Sequence, residues 1–171
     1  MIETEYDVVV AGYGPVGETC ANLLGYYGIK ALILDKEKNA YPLPRAITWD
    51  AECQRAMSHC EFLSEVKTRK IRGVDNKDAN KKSIMKITTE GFDIYNYQHR
   101  ILFIHQPQFD EAHRENAEKY STNTIKTGSE LLAVDEINGV INCTYKNIDT
   151  CLSYTSDAAR RSTLCRSRWS P

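Results

Sequence analysis

Tyr6-Asp-Val-Val-Val-Ala11 runs directly into Gly12-Tyr-Gly-Pro-Val-Gly17, and after one helix's length of chain comes Lys30-Ala-Leu-Ile-Leu-Asp35. The first and last of these segments are short apolar runs of the kind that lie buried in a parallel sheet. The stretch between them reads as a helix to about Tyr27, and Gly28 can end it. A G-x-G-x-x-G alone is a weak signal. Here it follows a strand, opens a helix, and is followed by an acid 18 residues after Gly17. That context predicts a dinucleotide-binding βαβ unit.

The spacing has a chemical logic. Gly12 lets the strand turn tightly, and Gly14 lets the backbone approach a pyrophosphate with no Cβ in the way. Gly17 lets the helix lie close on the sheet. Pro15 sits in the first helical turn, where its missing N–H costs little. The helix N-terminus around Pro15, Val16 and Gly17 offers unpaired N–H groups and a partial positive charge, which suit a diphosphate. Asp35, at the end of the second strand, can accept hydrogen bonds from a ribose diol. An acid there repels a 2′-phosphate, which favours FAD or NAD over NADP. Glu18 suits the helix dipole but would repel a phosphate if it pointed inward, so it is expected to face solvent.

Composition bounds the remaining possibilities. The chain has 171 residues, 42% of them apolar, enough for one domain with its own core. A net charge of −1 gives no electrostatic case for nucleic acid or an anionic membrane as the main partner. No apolar run is long enough to span a bilayer, and no signal peptide is evident, so a cytoplasmic location is expected. The six cysteines, at 20, 53, 60, 143, 151 and 165, form no C-x-x-C pair. They read as free thiols, with neither zinc nor a redox dithiol implied.

Further along, Tyr41-Pro-Leu-Pro-Arg45 cannot be regular helix or central strand, because each proline removes a donor and restrains its neighbour. Asp50–Met57 has helical composition. Residues 66–100 are polar and lysine-rich, with short strands expected over 67–74, 83–88 and 92–97 and a turn at Asn76–Asn80. Strand character returns over Arg100–Phe103, and Pro107–Tyr120 reads as a helix. Strands follow at 124–127 and 130–137, the second joined to a partner at 140–145 across Asn138-Gly139.

The residues quoted so far carry a resemblance. Asp7-Val-Val-Val-Ala-Gly-Tyr-Gly-Pro-Val-Gly17, Leu34-Asp-Lys36, Pro44-Arg-Ala-Ile47 and Phe103-Ile-His-Gln-Pro107 resemble the first portion of FAD-dependent aromatic-ring monooxygenases, in order, over about residues 5–145. Phenol and 3-(3-hydroxyphenyl)propionate hydroxylases are the most similar. The resemblance implies an α/β fold: a Rossmann-like FAD-binding βαβ domain with a mostly parallel sheet plus part of an antiparallel β element. It places the FAD pyrophosphate over Gly14 to Gly17, the adenosine ribose on Asp35 and the adenine near Lys36. It also implies that Arg45 reaches the flavin side of the cofactor, and that Gln106 contacts its ribityl or phosphate region. His105 is assigned no role. The implied reaction consumes NAD(P)H and O2 and hydroxylates a small phenolic substrate; a homo-oligomer is left open.

The chain also departs from that family. The Asp-Gly and Gly-Asp dipeptides that complete its FAD site do not occur in the 171 residues. After Tyr145 the likeness fades, and Leu152-Ser-Tyr-Thr-Ser-Asp-Ala-Ala159 resembles the translated end of a truncated gene model. The expectation is a truncated protein, inactive alone. Residues 1–150 would form a partial FAD-binding domain with a polar β insertion at about 66–100, and residues 151–171 a non-native or disordered tail. The competing functions are a non-catalytic nucleotide-binding module and an NAD-dependent dehydrogenase. The second is disfavoured because some 65 residues separate Asp35 from the next buried strand near Leu102.

Overall fold

The computed structural model of the chain describes residues 5–43, 46–49, 51–58, 68–70, 73–88, 102–138 and 140–158. They fall into two compact units, one formed by residues 1–43 with 110–171 and the other by residues 44–109.

The first unit contains the glycine turn. Strand β1 (Val8–Ala11), helix α1 (Pro15–Tyr26) and strand β2 (Ala31–Asp35) form the expected βαβ unit. β1 lies parallel to β2, with Val8 opposite Ala31 and Ala11 opposite Leu34. A later strand, β8 (Asn123–Thr127), joins the other side of β2, also parallel, with Ala31 opposite Asn123. The resulting order places β2 at the centre, as in one half of a doubly wound fold.

That position explains the composition of β2, whose residues Ala31–Leu34 are all buried. Ala31 and Ile33 pack with Val10, Tyr13, Ala21 and Ala117 on the helical face of the sheet. Leu32 and Leu34 pack with Tyr6 and Tyr145 on the other. Each fully buried Leu or Ile stabilises the fold by roughly 1.5–3 kcal/mol.

The second face is covered by an antiparallel sheet of β9 (Ser129–Ile137), β10 (Val140–Asn147) and β11 (Ser153–Ala158), with β10 in the middle. Asn138, in the Asn-Gly turn, has a φ of 55°. β11 lies within residues 151–171 and pairs with β10 from Ile141–Ala158 to Lys146–Ser153.

Helix α3 (Gln106–Glu118) packs beside α1 from Asp110 onward, through amides as well as apolar contacts. The Asn22 amide donates to the carbonyls of Glu18 and His113, at 2.8 and 2.9 Å. Asn116 donates to Asn22 Oδ1 at 2.7 Å. Asn123 donates to Ala21 on α1 and to Ala117 on α3.

In the second unit, β7 (Leu102–His105) lies between β3 (Ala46–Trp49) and β4 (Thr68–Lys70), antiparallel to both. Helix α2 (Ala51–Met57) follows β3. The Trp49 ring meets Phe109 edge-on, with centroids 5.5 Å apart. β5 (Gly73–Lys77) and β6 (Ser83–Thr88) form a separate hairpin. Its turn falls later than expected because Asp78 Oδ1 accepts the N–H groups of Asn80 and Lys82. The β3 strand was not expected. The strand expected over Phe92–Tyr97 lies outside the described residues.

Among the described residues no helix is long and apolar enough to cross a membrane.

Candidate functional site

The glycine turn leaves β1 with Gly12 at φ 101°, a conformation that favours glycine. The Gly12 N–H donates to the Leu34 carbonyl at 2.7 Å, tying the turn to the end of β2. Gly17 faces back onto Gly12. A Cβ at Gly17 would lie 1.9 Å from the Gly12 carbonyl oxygen, so only glycine fits this contact. A Cβ at Gly14 would meet nothing within 4 Å. Gly14 caps α1 in an extended conformation and, lacking a side chain, leaves the helix N-terminus without a side-chain cap. The first intrahelical bond runs from the Glu18 N–H to the Gly14 carbonyl, at 2.8 Å. The N–H groups of Val16 and Gly17 therefore have no helical carbonyl partner.

An open cleft of about 1300 Å³ lies against this turn, lined by Gly12, Gly14, Asp35, Lys36 and Arg114, with β9 residues including Leu132 on its far side. Asp35 accepts the Tyr13 N–H at 2.7 Å on one oxygen and the Glu37 N–H at 2.8 Å on the other. The carboxylate is thus held in one orientation at the cleft wall. Pro15, Val16 and Gly17 form the first turn of α1, directly after the lining residue Gly14.

The cleft suits an anionic dinucleotide on three counts. The helix N-terminus is uncapped, the space in front of Gly14 is open, and a fixed carboxylate stands at the end of the neighbouring parallel strand. Of the nine residues expected to bind the cofactor, Gly12, Gly14, Asp35 and Lys36 line this cleft, while Pro15, Val16 and Gly17, the first residues of α1, are not among its lining residues. Arg45 lies outside the described residues. Gln106 is buried at the start of α3, in the other unit.

Glu18 corrects the sequence reading. It is fully buried rather than solvent-facing. Its carboxylate receives the Arg114 Nε–H at 2.7 Å, and Arg114 Nη2 also donates to the Tyr13 carbonyl. The Arg114 guanidinium stacks 4.6 Å from the centre of the Tyr13 ring. Burial, and then the neighbouring Asp110 carboxylate, push the Glu18 carboxyl up to about 8. Burial likewise raises the Tyr13 hydroxyl, with Glu18 adding to it. Arg114, Tyr13 and Asp110 were missed from the sequence. One signal was present, an acid and an arginine at i and i+4 (Asp110 and Arg114), which places them on one face of α3.

The parallel sheet, glycine turn and cleft define a Rossmann-like α/β fold of the dinucleotide-binding type. Residues 5–150 match the FAD binding domain family, and the chain belongs to that family. It is 28% identical over 152 residues to a 3-(3-hydroxy-phenyl)propionate/3-hydroxycinnamic acid hydroxylase of Comamonas testosteroni, a match covering 86% of this chain and 25% of that protein. It is 36% identical over 70 residues to a para-nitrophenol 4-monooxygenase of Pseudomonas sp. strain WBC-3, covering 41% of this chain and 17% of the relative. The crystal structure of p-nitrophenol 4-monooxygenase from Pseudomonas putida DLL-E4 superimposes with a TM-score of 0.78 at 21% identity. That superposition covers 92% of this chain and 40% of the other. The chain thus spans about a quarter of the length of the first of these relatives.

Proposed function

We propose that this chain is the nucleotide-holding portion of a FAD-dependent, NAD(P)H-using monooxygenase that hydroxylates a phenolic substrate. One observation supports the reading most: an uncapped helix N-terminus opens beside Gly14 into a cleft that also contains the fixed Asp35 carboxylate. In this reading the Gly14, Val16 and Gly17 N–H groups receive the pyrophosphate, and Gly12 and Pro15 shape the turn that aims them. Asp35 receives ribose hydroxyls through the lone pairs its two main-chain bonds leave over. Lys36 lies beside it near the adenine, while Arg45 and Gln106 serve the flavin half. Bound FAD supplies the redox chemistry, taking electrons from reduced nicotinamide and activating O2. Substrate choice and hydroxylation belong to the whole protein, of which relatives of this kind have about four to six times the matched length.

Titration of the purified chain with FAD, followed by quenching of flavin fluorescence, tests the assignment. Saturable binding that Gly14→Val removes while the fold persists by circular dichroism is the expected result. A Gly14→Val chain that binds FAD as tightly as the parent refutes the placement.

A further inference from the structure

Arg114 does more than satisfy a buried acid. Its Nε–H donates to Glu18 Oε1 at 2.7 Å and its Nη2 to the Tyr13 carbonyl, while its guanidinium lies 4.6 Å from the centre of the Tyr13 ring. Those contacts fill the Nε–Nη2 edge and fix the plane of the group. Among the described residues the Nη1 group has no hydrogen-bond partner. Glu18 is fully buried, so a cation serving it alone could stay behind the turn. Arg114 reaches past it, with 15% of its side chain exposed, and lines the cleft together with Gly12, Tyr13 and Gly14. The other cationic side chains lining the cleft, among the described residues, are Lys36 and Lys38. Lys38 pairs with Asp149, and Lys36 follows Asp35 at the end of β2. Arg114 is the one hydrogen-bonded to the glycine turn.

We propose that Arg114 is a further anion-binding residue of the cleft, its Nη1 group donating to a diphosphate seated in front of Gly14 while its other edge clamps the turn. The inference deepens the dinucleotide reading of the cleft and rests on it. Donors of two different origins then meet the same ligand. Main-chain N–H groups at the helix N-terminus carry a partial charge that fades within one turn, whereas the guanidinium brings a full charge that does not depend on the helix. Arginine suits this place better than lysine. Its planar, delocalised charge can be shared among a carboxylate, a carbonyl and a phosphate oxygen at fixed angles, while an ammonium is a single point on a flexible stem. Glu18, the Tyr13 carbonyl and the Tyr13 ring each hold the group, so its place on the cleft wall does not depend on a ligand.

The test uses Arg114→Met and the paired variant Glu18→Leu with Arg114→Met. The pair removes the cation without leaving a buried acid unpartnered, a replacement that is often neutral in stability. FAD binding is read by quenching of flavin fluorescence, and ADP and adenosine by their competition with FAD. Both competitors bring a ribose to Asp35, but only ADP brings a diphosphate. Loss of Arg114 in a chain shown to be folded by circular dichroism should weaken FAD and ADP by roughly 10- to 100-fold, the scale of one charge-assisted hydrogen bond, and leave adenosine unchanged. Glu18→Gln keeps an acceptor for Arg114 and should bind ADP at least as tightly as the parent. Equal affinity of parent and paired variant for ADP, or a Glu18→Gln loss as large as that of the paired variant, overturns the proposal. So does a loss shared equally by ADP and adenosine, because Arg114 would then only shape the turn. A parent chain that binds neither FAD nor ADP refutes the dinucleotide reading, and the Arg114 contact with it.

Discussion

Replacing Gly17 with alanine should destabilise the chain, although alanine is the better helix former. Removing a helical glycine ordinarily gains about 1 kcal/mol. Here the new Cβ would sit 1.9 Å from the Gly12 carbonyl oxygen and 2.9 Å from its carbon, both rigid backbone atoms. Restoring an ordinary contact requires α1 and the turn to part by about 1 Å or more, and forced overpacking of this kind typically costs about 1–3 kcal/mol, occasionally more. Movement is resisted further because the Gly12 N–H is tied to Leu34. The upper part of that range applies, leaving a net loss of about 2 kcal/mol. For a chain of this size that lowers the thermal midpoint by about 4–8 °C.

Gly14→Ala is the control. Its Cβ meets nothing within 4 Å. The poorer N-cap offsets the reduced entropy of the unfolded chain, so stability should stay within about 0.5 kcal/mol. Thermal and urea unfolding followed by far-ultraviolet circular dichroism read both variants. A Gly17→Ala midpoint equal to or above the parent's would refute the close helix–turn packing, and a Gly14→Ala loss as large as that of Gly17→Ala would refute the open space.

Three further outcomes follow from the same region. The Glu18 carboxyl is raised in the folded chain from 4.5 to about 8, so its contribution is complete below about pH 4.5 and is lost as pH rises towards 8. The thermal midpoint of the parent should fall over that window, by up to roughly 5 kcal/mol of stability, and Glu18→Gln should flatten the fall. Arg114→Ala leaves the buried Glu18 carboxyl and the Tyr13 carbonyl without this donor and should cost about 1–3 kcal/mol by urea unfolding at pH 5.5, and more at pH 9, where Glu18 is ionised. Asn22→Ala leaves the buried Asn116 amide without this acceptor and removes the side-chain donor to the Glu18 and His113 carbonyls, and should cost about 2 kcal/mol by the same assay.

The elements legible in the sequence were those whose signals are local. β1, α1 and β2 are marked by apolar runs, three glycines and a proline within 30 residues, and the Asn138-Gly139 turn between β9 and β10 by a dipeptide. β3 escaped notice because four residues after a proline-rich loop carry little pattern of their own; pairing with β7, more than 50 positions later, makes them a strand. The cleft was legible in its backbone part, since glycine spacing dictates where a turn can approach a ligand. Its charge was not. The partner that lets Glu18 lie buried is 96 positions away, and no spacing rule connects an arginine on one helix to an acid on another.

Tyr13 is held at both ends of its backbone, its amide by Asp35 and its carbonyl by Arg114. A loop fastened in this way before any guest arrives has little freedom left to surrender on docking, so the entropic penalty of recognition is largely met during folding. Capture should then proceed as simple encounter, fast and without a slow rearrangement phase, and the backbone order of the turn should be nearly the same with and without a bound nucleotide.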